Sequence, residues 1–148
     1  MSSYKHRMAE GAIKDFPKIK QDYDSYKLML DARALAGGGC IFDERVDGGG
    51  VSDSAGERYM DRYNDPVLRK LQALVEGIYT AYYELPPAER RVIALRYWQN
   101  LDVPDVAHEL MFSESNVYRY TRSALSYLYR QILSVQPLLE DWRTGGLK

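Results

Sequence analysis

Residues 102–133, DVPDVAHELMFSESNVYRYTRSALSYLYRQIL, hold a short helical pattern, a break at 111–114 and a longer helical pattern. The spacing predicts a helix over 103–110: Val106, Ala107 and Leu110 form its buried face, and small Ala107 stands where two helices must come close. Asp102 suits the cap position, and Pro104 is tolerated in the first turn, where a missing N–H leaves no bond unmade. Phe112 fills the turn, and Ser113 caps a second helix held down by Val117, Tyr120, Ala124, Leu125 and Leu128. By elimination Glu114, Ser115, Tyr118, Arg119 and Arg122 project outward from its first turns. Two helices joined in this way form a helix-turn-helix, whose second helix enters the DNA major groove by its N-terminal end. Such a helix needs hydrogen-bonding side chains at its front and packing side chains at its rear.

Working outward, the second helix is expected to run until Pro137 stops it. About 22 residues at ~1.5 Å each make a rod of roughly 33 Å, longer than a minimal domain requires. Upstream, Leu85-Pro86-Pro87 closes one helix and opens another, with Val92, Ile93, Leu95 and Trp98 inward and Arg90, Arg91 and Arg96 more exposed. Asn64-Asp65-Pro66 is a helix start, followed by Val67, Leu71, Leu74, Val75, Ile78 and Tyr82 at helical spacing. At the N-terminus a first helix is predicted over 2–15, and Pro17 opens a second that runs to about Ala36. In the latter, Ile19, Tyr23, Tyr26 and Leu30 form a short apolar seam that suits either the chain's own core or self-association.

Between these parts, residues 37–58 carry two glycine triplets among Asp43, Glu44, Asp47 and Asp53. No Gly-Lys-Ser/Thr follows and no strand precedes, so this is neither a phosphate loop nor a dinucleotide fingerprint, and the acids do not have EF-hand spacing. It reads as a solvated linker. The expected architecture is therefore all-α: an N-terminal helical segment (1–36), a flexible Gly/Asp-rich linker (37–63) and a C-terminal helix-turn-helix bundle (64–148).

Composition narrows the function. Hydrophobic residues at 45% and charged residues at 28% suit one globular chain of 148 residues. The apolar runs are too short to span a membrane, and no signal-peptide pattern opens the chain, so the expected location is the cytoplasm. One cysteine, Cys40, permits no internal disulfide, and it is read as a loop residue. No metal-ligand cluster and no catalytic constellation is visible; His6 and His108 are read as surface residues, and neither a cofactor nor enzyme activity is expected. Residues 88–133 carry six Lys/Arg against five Asp/Glu, so charge alone would not point to DNA.

The residues do. ELPPAERRVIALRYWQNLDVPDVAHELMFSESNVYRYTRSALSYL (84–128) resembles the fourth-region helix-turn-helix of sigma-70 factors. With DFPKIKQDYDSYKLML (15–30), the glycine-rich spacer and the Asp-Pro helix start, most of the chain resembles phage late-gene activators of the RinA/ArpU type. The resemblance implies promoter binding and activation of phage packaging and structural genes through host RNA polymerase. Carried over by position, it implies base-reading slots at Glu114, Ser115, Tyr118 and Arg119. It places Asn116, Arg122 and Arg91 near backbone phosphates. Two departures matter. Met111-Phe112 stands where the family has glycine and an aliphatic residue, which leaves the turn geometry open. Glu114 and Tyr118 occupy slots where sigma factors usually carry arginine, so their sequence preference does not transfer.

Double-stranded promoter DNA is thus the leading partner, with host RNA polymerase and a second copy of the chain (a homodimer) behind it. Two other readings stay open: a phage terminase small subunit, which usually carries its DNA-binding unit first rather than last, and a helical adaptor of RNA polymerase that does not touch DNA.

Overall fold

A computed structural model describes residues 3–37 and 64–147, and within them the fold is all-α. The elements are α1 (Tyr4–Gly37), α2 (Pro66–Tyr83), α3 (Pro87–Ile93), which widens into a π-helical turn (Ala94–Trp98), α4 (Val103–Leu110) and α5 (Glu114–Ile132). A 3-10 turn (Leu133–Val135) then leads into α6 (Gln136–Arg143). Past Gly37, the linker expected over 37–63 lies outside the described residues, and so does Cys40.

α1 corrects the expectation of two helices meeting near Pro17: it is one helix of 34 residues with Pro17 inside it. An interior proline costs ~3 kcal/mol or more because it removes one N–H and crowds the carbonyl four residues back. Two features offset that cost. Ile13, Phe16 and Ile19, on either side of the proline, are buried, and each such side chain contributes ~1.5–3 kcal/mol. The carbonyl deprived of its donor is that of Ile13, and the Trp98 indole N–H donates to it at 2.9 Å. A side chain 85 positions away supplies the bond that the proline removed. Local sequence could not reveal it.

Most of the apolar side chains meet in one core. Ala9, Ala12, Ile13, Phe16 and Ile19 of α1 pack with Leu74, Ile78 and Tyr82 of α2, with Ala124, Leu125, Leu128 and Ile132 of α5, and with Leu139 of α6. The start of the Ile19–Leu30 seam serves this interior: Ile19 is buried in it and Tyr23 packs against it, while Leu30 is buried outside this cluster. Tyr26 donates to Asp65 Oδ1 at 2.9 Å. The same oxygen caps α2 by accepting from the Val67 and Leu68 amides, so one carboxylate starts a helix and ties it to α1.

The last helix is also shorter than expected. α5 ends at Ile132, and Pro137 opens α6 instead of stopping α5. Proline lacks an N–H either way, so it suits the first turn of a new helix as well as the end of an old one. The rear of α5 is not a free rod. Its Ala124, Leu125, Leu128 and Ile132 are buried, and the 3-10 turn folds the chain back onto α2. That return requires Gly77, where a Cβ would lie 2.7 Å from Val135 Cγ1.

Candidate nucleic-acid interface

A second, smaller core lies under the helix-turn-helix. Val92 of α3, Val103, Val106 and Ala107 of α4, and Val117 of α5 are buried together, with Leu95, Leu101, Leu110, Phe112 and Tyr120 around them. Small β-branched side chains let α4 and α5 approach closely.

The turn between them is defined by its hydrogen bonds. Phe112 N–H donates to the Ala107 carbonyl at 2.9 Å and Met111 N–H to the His108 carbonyl at 3.3 Å, the paired bonds of a Schellman motif. That motif needs a left-handed residue, and Met111 fills the place with φ 58° and ψ 40°. The departure from glycine therefore leaves the expected turn intact, with the methionine side chain 91% exposed and clear of the backbone. Phe112 tucks inward, its ring 5.4 Å from that of Tyr120.

Ser113 then caps α5, its hydroxyl accepting from the Asn116 amide at 3.1 Å. Glu114 follows in the first turn, where a carboxylate is favoured by the helix dipole. Asp102 caps α4 by backbone position only; its side chain makes no capping bond.

The outward residues emerge as the spacing required. Glu114, Ser115, Tyr118, Arg119 and Arg122 are exposed, and Asn116 is half-buried. Ser115, Arg119 and Arg122 stand at spacings of four and three along one face, opposite Val117, Thr121 and Ala124. Arg119 lies over the Tyr120 ring, 5.4 Å from its centroid. Arg91 is separate from this group, exposed on α3, the helix whose inner side packs against α5. His108 is exposed on α4; His6 is half-buried, its Nε2 2.8 Å from Ser126 Oγ on the rear of α5.

Three residues of this region escape the apolar pattern: Glu89, buried on α3, and the pair Thr121 and Arg96. Thr121 is buried, its hydroxyl donating to the Val117 carbonyl at 2.8 Å. Arg90 and Arg96, both expected among the exposed arginines, are half-buried, and Arg96 donates to Thr121 Oγ1 at 3.0 Å. Position 121 lies four residues after Val117 and four before Leu125, so strict helical register would have marked it as inward despite its hydroxyl.

The π-turn that carries Arg96 engages three consecutive side chains. Gln99 N–H reaches back five residues to the Ala94 carbonyl, and the wider turn serves Arg96, Tyr97 and Trp98 at once. Tyr97 donates to Glu10 Oε2 at 2.8 Å, and burial, then that bond, pushes its phenol far above the usual range. Trp98 holds the Ile13 carbonyl. The helix-turn-helix is thereby joined to α1.

Residues 77–132 match the family model described as Sigma-70, region 4. That is a helix-turn-helix DNA-binding type of domain, tied to DNA binding or polymerase-associated regulation rather than to an enzyme. The match covers less than half of the chain and leaves α1 and α6 outside it. Neither a curated protein nor a solved structure matches this chain significantly. Among the described residues no helix is long and apolar enough to cross a membrane, and no group of three or more His, Cys, Asp or Glu is placed to hold a metal.

Proposed function

We propose that this chain is a sequence-specific DNA-binding transcription regulator, an activator of phage late genes that works with host RNA polymerase in the bacterial cytoplasm. One observation carries the DNA-reading part: the front of α5 presents Glu114, Ser115, Tyr118 and Arg119 to solvent while its rear is fixed in the core. A reading helix needs both, because base contacts discriminate only when the side chains are held in register with the groove. In this reading those four residues take the base edges, Asn116, Arg122 and Arg91 take phosphates, and residues 64–148 form the DNA-binding domain. The phage and late-gene part is supported by the resemblance of most of the chain to that class of activator.

A homodimer belongs to the same proposal. With a net charge of −1 and few cations on α5, one copy offers few phosphate contacts. Two copies on adjacent half-sites would combine their affinities. Leu28 and Leu35, exposed one heptad apart on α1, give a second copy an apolar stripe to cover.

Selection of bound fragments from the source genome tests the proposal. One enriched site upstream of a late operon is the expected outcome. Enrichment at packaging sites by a ring of about eight or more subunits would favour the terminase reading. No binding to any DNA at low salt would leave the polymerase adaptor.

A further inference from the structure

We infer that Arg96 is a positioning residue that sets the sequence preference of the reading helix by fixing the Tyr118 ring at the groove. The inference rests on the DNA-reading proposal above and adds to it a residue outside α5.

Arg96 is held on three sides. Its Nη1 donates to Thr121 Oγ1 at 3.0 Å, and its guanidinium carbon lies 5.4 Å from the Tyr97 ring centroid and 5.8 Å from that of Tyr118. Thr121 is itself fixed, buried and bonded to the Val117 carbonyl, and Tyr97 is anchored to Glu10. The guanidinium therefore joins two buried, hydrogen-bonded groups to one half-exposed ring. Tyr118 is 47% exposed and stands at a base-reading slot, and its only fixed neighbour among the described ring and cation contacts is Arg96. A phenol free to rotate would contact whatever base lay below it. A phenol packed against a clamped guanidinium presents one edge at one height.

Arginine suits this task and lysine does not. Only the planar guanidinium can lie against an aromatic face while donating to a hydroxyl in its own plane. The surroundings also argue against a simple phosphate contact. Arg96 shares its cleft with Glu10, Lys14 and Asp102, so the two carboxylates offset the two cations.

The test is site selection from randomised duplexes with the full chain, run on the parent and on Tyr118→Ala, Arg96→Lys, Arg96→Ala and Thr121→Val. Thermal unfolding and the salt dependence of random-DNA binding are measured alongside. Tyr118→Ala should relax particular base positions. Arg96→Lys, which keeps the charge and the aliphatic stem, should relax the same positions by about five- to tenfold, with random-DNA affinity and salt slope unchanged. Thr121→Val, which removes the oxygen that accepts from Arg96, should shift the same positions. Arg96→Ala combined with Tyr118→Ala should lose no more than Tyr118→Ala does. If Arg96→Lys keeps the parent's profile, or if Tyr118→Ala relaxes nothing, the inference fails while the DNA-reading proposal stands. If Arg96→Ala weakens all DNA alike and lowers the salt slope, Arg96 is a phosphate contact and the inference is wrong. A parent that selects no site overturns the underlying proposal and this inference with it.

Discussion

The two cores formed by the described residues are built from different material. The larger gathers isoleucines, leucines and aromatic side chains from α1, α2, α5 and α6, with Ile93 of α3 and Tyr97 of the π-turn, and the smaller holds four valines and an alanine beneath the helix-turn-helix. Large side chains bury more area and carry most of the stability, while small ones let two helices close at a fixed angle. α5 belongs to both, with Val117 in the small core and Leu128 in the large one. The helix-turn-helix is thus a light unit mounted on a heavier body, and the difference between them can be broken or sharpened by substitution.

Leu128→Ala strikes the heavier body. It should destabilise the whole fold by ~2–5 kcal/mol, seen as a lower denaturation midpoint with one cooperative transition. Val106→Ala removes two methyl groups from the lighter unit, at ~0.8 kcal/mol each, so the global loss should be about 1–2 kcal/mol. Its amide exchange should quicken mainly in α4 and the start of α5. Equal losses spread over both parts would erase the distinction.

Trp98→Phe tests the joint between them. It keeps a ring but leaves the Ile13 carbonyl without its donor, at ~1–3 kcal/mol for a buried unsatisfied group. In a Pro17→Ala background the helix regains its own N–H, and the same substitution should cost clearly less. An unchanged cost would mean that the indole contributes only by packing.

Arg119→Ala and Arg122→Ala address the function of the light unit. An arginine fork on a guanine is worth ~1–3 kcal/mol of discrimination, so Arg119→Ala should lose operator preference while keeping most random-DNA binding. Arg122→Ala should weaken both alike and lower the salt slope by about 0.9, the effect of leaving one phosphate without its cation. Parent-like binding by both variants would remove α5 from the role of reader.

Met111→Gly acts on the turn. The left-handed conformation costs a residue with a side chain roughly 1–2 kcal/mol, and glycine does not meet that cost. A gain of about 1 kcal/mol is expected, and a loss would mean that the exposed methionine stabilises the turn in some other way. The chain contains its own control: Gly145 closes α6 with the same pair of bonds at φ 82°.

The smallest effect concerns alkaline pH. Burial, followed by the hydrogen bond to a carboxylate, raises the phenols of Tyr26 and Tyr97, and burial with the neighbouring Tyr83 raises Tyr82. The folded state then holds these protons more tightly than the unfolded chain, whose phenols titrate near pH ~10. Their contribution is complete below that pH and is lost as pH rises through the folded values. Melting temperature should be flat with respect to these groups at neutral pH and fall above about pH 10, less steeply in Tyr97→Phe.

Much of this was legible in sequence because local rules acted alone. The bounds of α4, the Ser113 cap and the Asp65-Pro66 start follow from capping chemistry and helical spacing, which neighbouring residues decide between themselves. The outward set on α5 follows from its inward set. What could not be read was settled at a distance. Pro17 stays inside a helix because of Trp98, and the π-turn forms where three successive side chains have partners on two other helices, Arg96 on α5 and Tyr97 and Trp98 on α1. Thr121 and Arg96 are polar residues that go inward together, each supplying what the other needs. An apolar pattern has no mark for such a pair.

The placement of the two tryptophans gives the molecule an optical gauge. Trp98 donates to a backbone carbonyl of α1, and Trp142, on α6, donates to the Asp22 carboxylate of the same helix at 2.8 Å. Lifting α1 away would release both indoles to water together and shift their emission in step. Loosening α6 would release only Trp142, whose neighbour is charged rather than neutral. With each tryptophan replaced by phenylalanine in turn, fluorescence from the untagged protein distinguishes movement of the first helix from movement of the last.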